Sequence, residues 1–348
     1  YWVYHATPIG SFVAFFLNAT LMSIPFWLFH KVKTISTSRI GYITLISAWL
    51  SMEYLHLNWD LSWPWLILGN VFADAPYIIQ WYEYTGFLGG SVWVLLINIM
   101  IFRVYSRKSK RTVILCLVAF LVPTLFSLYS YLNFHQKKDG FLDVVIVQPN
   151  EDPYTEKWQK DVSDQISDFI SLSKTKLTQE TDLLIGPETA LIEGLDEDNI
   201  EKTYSIVQFR RLQKEFPHLN ILVGAMTRRS FESGEKITST ARVKNKGGVD
   251  VFYEVYNSVI FIPNNGDVKI YHKSKLVPGA ENMPFPAILD PLAELIVDIG
   301  GVSGSLGSYN TLNHFSMKGN VISPLICYES VYGDMSLGET NILAVVTN

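Results

Sequence analysis

Two cysteines, Cys116 and Cys327, are the only thiols in the chain, and their settings differ. Cys116 lies inside a long apolar run, whereas Cys327 ends the apolar, strand-like run 321–326 and is followed at once by the polar Tyr328-Glu329-Ser330. The pair is poorly suited to a disulfide. A nucleophile needs the setting of Cys327, held by a strand and presented at its tip. A free cysteine more often simply packs, so Cys327 gains weight only with partners. Thiol acyl transfer calls for a base to take and return the proton, and for a cation or N–H donors to meet the oxyanion. Glu188 follows the run Leu183-Leu184-Ile185-Gly186-Pro187, and Lys273 follows the run 268–272. All three groups thus stand at carboxyl ends of strands, where α/β sheets place their sites. Singly, a Glu after Gly-Pro is commonly a solvated turn residue, and a Lys after a hairpin strand an edge charge. Their joint occurrence points to a reaction centre.

The elements that must position them lie in the second part of the chain. Residues 144–147 read as a buried strand, 155–174 as a helix with Trp158, Val162, Ile166 and Ile170 on one side, and 183–185 as a strand stopped by Gly186-Pro187. A helical stretch is expected over 196–215 and a strand over 221–224. Runs 251–263 and 268–272 flank Asn264-Asn265-Gly266, a hairpin signal. Runs 321–326 and 342–346 add two strands. Helices and strands alternate first and hairpins follow, so the expected class is α/β with a mixed sheet. The Gly/Ser-rich loop 300–307 lacks the GxxxxGK[ST] and GxGxxG patterns of phosphate cradles.

The first part of the chain is different. A helix that crosses the hydrocarbon core needs about 20 predominantly apolar residues. Residues 9–29, 84–102 and 112–134 contain no Asp, Glu, Lys or Arg, and 40–57 contains only Glu53. Four spans are therefore expected at about 9–29, 40–57, 84–102 and 112–134. The domains are expected as 1–134, transmembrane, and 135–348, catalytic. Residues 61–73, with Trp63, Pro64 and Trp65, read as an interfacial or re-entrant segment. Lys31, Lys33 and Arg39 occupy the first loop, and Arg103, Arg107, Lys108, Lys110 and Arg111 the third. The loop 58–83 has only acids. Basic short loops stay in the cytoplasm, so the loop 58–83 and the catalytic domain are expected outside it. Glu53 is expected at headgroup level, near the outward end of its span.

The combination Gly186-Pro187-Glu188-Thr189-Ala190, Tyr271-His272-Lys273-Ser274-Lys275-Leu276-Val277-Pro278 and Ile326-Cys327-Tyr328-Glu329 resembles the Glu-Lys-Cys centre of the nitrilase (carbon–nitrogen hydrolase) superfamily. The Leu-Val-Pro run, a Glu shortly after it and the preceding spans look like one branch, the apolipoprotein N-acyltransferases. That resemblance implies a nitrilase-like α-β-β-α sandwich on a multi-span helical base in the bacterial cytoplasmic (inner) membrane. It implies a phospholipid acyl donor, typically phosphatidylethanolamine, and a diacylated apolipoprotein acceptor. Cys327 then becomes the thioester, Glu188 the base and then the acid, and Lys273 the oxyanion partner. Glu281 and Glu329 match acids that orient the lysine or the substrate amine, Tyr328 lines the site, and Trp158 is a substrate contact or a core aromatic. Where the branch has Pro-Phe-Gly-Glu, this chain has Pro278-Gly279-Ala280-Glu281. Fewer spans and an end soon after a strand lead to the expectation of a fragment of a longer protein.

Trp59, Trp63, Trp65, Trp81 and Tyr82 suit a membrane interface, and a Lys beside the thiol is expected to lower its pKa. The rival readings are a membrane-anchored nitrilase-type amidase that releases its acyl group to water and, more remotely, a sensor or binding protein without chemistry. A net charge of −5 and the lack of a long Lys/Arg run exclude a nucleic-acid stripe. No cofactor is expected. His5, His30, His56, His135, His218, His272 and His314 are scattered without ligand spacing, so neither is a metal.

Overall fold

The computed structural model describes residues 4, 8–135, 140–152, 156–286, 305–309, 313–336 and 340–348. Residues 300–304 of the Gly/Ser-rich loop lie outside them. The chain divides into two compact units, Tyr1–Asp139 and Gly140–Asn348.

Among its described residues the first unit holds the α-helices α1 (Pro8–Ile35), α2 (Ser38–Leu57), α3 (Tyr82–Arg107) and α4 (Lys110–Leu132). Three stretches are long and apolar enough to cross a membrane: Ser11–Ile35, Tyr82–Ser106 and Lys110–Leu132. Their exposed Phe, Leu, Ile and Val side chains, among them Phe12, Phe15, Phe16, Ile114, Leu121 and Val122, suit contact with lipid chains. The helix α2, expected as a fourth span, is not among those stretches. Its length suffices, but Arg39, Glu53, His56 and several hydroxyls lower its apolar character. Glu53, expected near the outward end of its span, is turned into the unit. It is 2% exposed, and its Oε1 accepts the Trp49 indole N–H and the Leu68 backbone N–H, each at 2.8 Å. A carboxylate that far from water needs such donors, and here they bind α2 to the following loop. That loop, the expected interfacial segment, is a series of short 3₁₀ turns at Pro64–Leu66, Leu68–Phe72 and Pro76–Ile78.

The second unit is layered. One sheet contains β1 (Val144–Ile146), β2 (Leu183–Ile185), β3 (Leu191–Asp196), β4 (Asn220–Ser230), β5 (Arg242–Lys246), β6 (Val249–Ile262) and β7 (Lys269–His272). The smaller sheet contains β8 (Phe315–Met317), β9 (Asn320–Ile326) and β10 (Ile342–Val346). Strands β1, β2, β3 and β4 pair in parallel, β4, β6 and β7 antiparallel, and β9 runs parallel to β10. The period-2 alternation of side chains decides the layers. Ile221, Val223, Ala225, Ile260 and Ile262 face two helices, α5 (Val162–Lys174) and α6 (Tyr204–Glu215). Their neighbours Leu222, Val259, Phe261 and Tyr271 face Phe315, Ile322, Ile326, Ala344 and Val346 of the smaller sheet. Helix layer, large sheet and small sheet are three layers of the expected nitrilase-like sandwich, all within the described residues.

Local chemistry moves some boundaries. The helix expected from 155 begins at Val162, because Asp161 is extended (φ −62°, ψ 139°) and residues 156–159 form a turn. Trp158 therefore lies off the helix face it was assigned to. The stretch expected as one helix over 196–215 is a 3₁₀ segment, Glu197–Lys202, then α6, separated by extended Thr203 (φ −68°, ψ 150°).

Phe209 of α6 is fully buried and meets Phe169 of α5 edge to face at 5.8 Å. Phe209→Ala is expected to destabilise this unit by about 3–5 kcal/mol, whereas Tyr204→Ala, at an exposed position on the same helix, stays within about 0.5 kcal/mol. Denaturant unfolding of the purified protein measures both.

Candidate active site

Glu188, Lys273 and Cys327 come from three separate strand ends and meet in one buried cluster. Glu188 stands on the turn after β2. Gly186 N–H donates to the Leu222 carbonyl at 2.9 Å and Gly224 N–H to the Pro187 carbonyl at 3.1 Å, so the turn is laced to β4. A Cβ at Gly224 would lie 2.6 Å from the Glu188 Cα, the Pro187 oxygen and the Thr189 nitrogen. Only glycine permits that approach. Lys273 follows β7, its N–H donating to the Asn257 carbonyl of β6 at 2.8 Å. Its ammonium is 2.9 Å from Glu281 Oε1 and 3.2 Å from Glu188 Oε1, with Lys273 only 1% exposed.

Asn257 completes this arrangement. Its Nδ2 donates at 2.8 Å to Glu188 and at 2.8 Å to Glu281. Two carboxylates thus share one ammonium and one amide, which holds like charges together that would otherwise repel. Glu281 is held in turn by the Val277 N–H, which donates to its Oε2 at 2.9 Å.

Cys327 is the first residue past β9 and has φ +46°, the left-handed region that an L residue rarely enters. The strain is held by Glu329, which is fully buried. Its Oε2 accepts the Ile326 N–H at 2.8 Å, and its Oε1 accepts the Tyr271 hydroxyl at 2.8 Å and the Ser274 N–H at 2.6 Å. Glu329 therefore ties the turn bearing the thiol to the turn bearing Lys273. Its contacts are with these backbones and hydroxyls, and the Lys273 ammonium goes to Glu188 and Glu281. Cys327 is half-buried, and Glu188, Lys273 and Thr347 stand near enough to its thiol to shift its titration. Tyr328 is buried, its ring edge-on to Tyr332 at 5.4 Å. Trp158 is half-buried in the turn before α5, next to Lys157.

The protonation states follow from burial and charge. Burial pushes the Cys327 thiol up and the Glu188 charge adds to this, with Lys273 opposing. The thiol pKa is therefore raised, contrary to the lowering expected from a neighbouring lysine: desolvation and the carboxylate outweigh the ammonium. Burial likewise pushes Glu188 up, but the Lys273 charge and the Asn257, Lys273 and thiol hydrogen bonds bring it below the usual glutamate range. Burial lowers Lys273, and the charges of Glu281 and Glu188 hold it above the usual lysine range. The resting set is a thiol, an ionised carboxylate in contact with it and a permanent ammonium. Such a set can transfer a proton from sulfur to carboxylate as sulfur attacks a carbonyl, with a cation nearby. Among the described residues no group of His, Cys, Asp and Glu could hold a metal ion.

Asn257 and Lys157 were not anticipated from the sequence. Asn257 had a signal: it is a polar residue inside the long apolar run that became β6. Lys157 had none.

A membrane-helical unit joined to a layered α/β unit that gathers Glu, Lys and Cys defines the class: a membrane-anchored protein of the nitrilase-like architecture. The sequence model described as the apolipoprotein N-acyltransferase N-terminal domain matches residues 1–100. An apolipoprotein N-acyltransferase of Chlorobaculum tepidum is 25% identical over 95% of the chain and 63% of its own length. One of Rickettsia prowazekii is 28% identical over 86% of the chain and 55% of its own length. The chain is similar to these apolipoprotein N-acyltransferases through both units and spans roughly three-fifths of their length. A carbon–nitrogen hydrolase superfamily protein of Xanthomonas campestris aligns over 54% of the chain and 60% of its own, with 15% identity and a TM-score of 0.33.

The buried cluster links stability to pH. Glu188, with its folded pKa depressed, contributes stability that is complete above its unfolded value of 4.5 and is lost as pH falls through the folded value. Lys273, with its folded pKa raised, contributes stability that is complete below 10.5 and is lost as pH rises through the folded value. Lys273→Met, which leaves two buried carboxylates without their cation, is expected to cost about 3–5 kcal/mol at neutral pH. Combining it with Glu188→Gln should cost less than the sum of the two, because they share one interaction. Denaturant titrations across pH test both statements; strict additivity would be inconsistent with a shared cluster.

Proposed function

We propose that this chain carries the catalytic apparatus of an apolipoprotein N-acyltransferase, with Cys327 forming a thioester. In the first half-reaction the Cys327 sulfur attacks an ester carbonyl of a phospholipid, typically phosphatidylethanolamine, and Glu188 takes the thiol proton. Lys273 faces the negative charge that develops on the carbonyl oxygen. The tetrahedral adduct collapses, the lysophospholipid oxygen leaves with the proton from Glu188, and the acyl group remains on sulfur. In the second half-reaction the α-amino group of a diacylglyceryl-cysteine at a lipoprotein N-terminus attacks the thioester. Glu188 takes a proton from the amine, the amide forms and the sulfur leaves as thiolate, then regains its proton.

Glu281 holds the Lys273 ammonium, and Glu329 holds the turns that carry Lys273 and Cys327. Tyr328 and Trp158 are assigned to the surroundings of the bound substrate. The basic loops 31–39 and 103–111 support a location of the second unit on the extracytoplasmic face of the bacterial inner membrane.

The observation that carries this reading is the gathering of Glu188, 3.2 Å from Lys273, with Cys327 at the end of β9, whose thiol pKa both groups shift, in a chain similar to acyltransferases over 95% of its length. An amidase with the same three groups would release the acyl group to water, and the names of the relatives favour transfer. Incubation with phosphatidylethanolamine alone is expected to add one acyl mass, removable by hydroxylamine and mapping to Cys327, and Cys327→Ala to abolish it. An adduct on another residue, or one that survives in the alanine variant, would refute the assignment.

A further inference from the structure

Lys157 is a buried lysine outside the triad, 4% exposed. Its ammonium donates to the Glu188 backbone carbonyl at 2.9 Å, the Thr189 hydroxyl at 2.7 Å and the Asn348 Oδ1 at 2.7 Å. A lysine has three N–H donors, and all three are committed to protein oxygens, so none is left for a ligand. Its own backbone is anchored as well, the carbonyl accepting the Gln165 side chain of α5.

The three acceptors belong to two sides of the reaction. Glu188 and Thr189 form the turn of the base, and Thr189 has φ +46°, so this turn is strained. Asn348 follows Thr347, which lies next to Cys327 across the β9–β10 pair. The parallel register Ile326↔Val346 sets Cys327 and Thr347 side by side, one residue past the last strand pair. We propose that Lys157 is a positioning residue for the chemistry at Cys327. Its ammonium ties the turn of Glu188 to the Thr347-Asn348 segment and so holds base and nucleophile in register. This inference rests on the acyl-transfer reading of Glu188 and Cys327.

The tie is pH-sensitive. Burial lowers the Lys157 pKa to about 8, with the charges of Glu188 and Glu151 opposing. These two are the charged groups facing it, and Glu151 is also paired with Lys160 at 3.0 Å. A small pocket lined by Gln148, Asn150, Glu151, Gln165 and Asn348 borders the amine. Above about pH 8 the neutral amine keeps two donors for three oxygens, and the tie loosens. Cys327 and Lys273 are both shifted upward, so the first loss on the alkaline side belongs to Lys157.

The test compares the unaltered chain with Lys157→Met and Lys157→Arg in phosphatidylethanolamine vesicles from about pH 6 to about pH 10, bracketing the titration. Two readouts are taken: thioester formation on Cys327 by intact mass, and alkylation of Cys327 by iodoacetamide. Lys157→Met is expected to slow both about 10- to 100-fold at neutral pH, the size of effect that a small misplacement of reacting groups produces. Lys157→Arg, which keeps its charge, should recover most of that loss and remove the decline in thioester formation near pH 8. A Lys157→Met protein with lowered Tm but alkylation rates and pH profile within about twofold of the unaltered chain would reduce Lys157 to packing and overturn the proposal. If that variant does not fold, the arginine profile decides, and a decline near pH 8 that persists overturns it. Absence of any thioester in the unaltered chain would sink the acyl-transfer reading, while the alkylation profiles would still judge Lys157.

Discussion

A lysine ammonium 1% exposed to water must be compensated by anions, and the second unit is organised around that requirement. Lys273 is met by Glu188 at 3.2 Å and Glu281 at 2.9 Å. Two carboxylates exceed one ammonium, so a further donor is needed, and Asn257 gives one hydrogen to each acid. The same electrostatics determine the state of the thiol. A cation already engaged by two anions has little field left to stabilise a thiolate. Cys327 therefore rests protonated against an ionised carboxylate, the starting arrangement for general-base attack rather than for a standing thiolate.

Holding that cluster requires backbones to come closer, and to bend more sharply, than ordinary strand ends do. Gly224 admits the Glu188 turn against β4. Thr189 and Cys327 both occupy the left-handed region, each at φ +46°. Strain of this kind persists where surrounding contacts over-determine it. Glu329 supplies those contacts on one side, with both carboxylate oxygens occupied by backbone and hydroxyl donors. Lys157 supplies them on the other. Two buried side chains thus hold the two strained turns from which the Glu188 carboxylate and the Cys327 thiol project.

The membrane unit applies the same rule in a more apolar setting. Exposed phenylalanines and aliphatics cover α1, α3 and α4, while the single acid of α2 is turned inward and given two donors. One chain thus combines helices whose exposed faces suit lipid with a layered unit that gathers a thiol, two carboxyl groups and an ammonium.

Much of this was legible in the sequence. Apolar runs of spanning length, the short apolar runs 183–185, 221–224, 251–263 and 321–326, and the Asn264-Asn265-Gly266 turn are local patterns whose physics acts over a few residues. They determined the helical first unit, the α/β second unit and the β6–β7 hairpin. The strand-end positions of Glu188, Lys273 and Cys327 came from the same local reading. What only the tertiary structure decided depends on distances between residues far apart in the chain. Desolvation reversed the expected direction of the Cys327 pKa, and no local pattern reports burial beside a carboxylate. Trp158 left its helix because Asp161 starts that helix later, and Glu53 turned inward because Leu68 and Trp49 were there to bind it. Asn257 and Lys157 acquired their roles through contacts with residues 69 and 31 positions away, Glu188 in both cases. Hydrogen bonding of that range is created by folding, so the sequence records the donors and acceptors but not which of them meet.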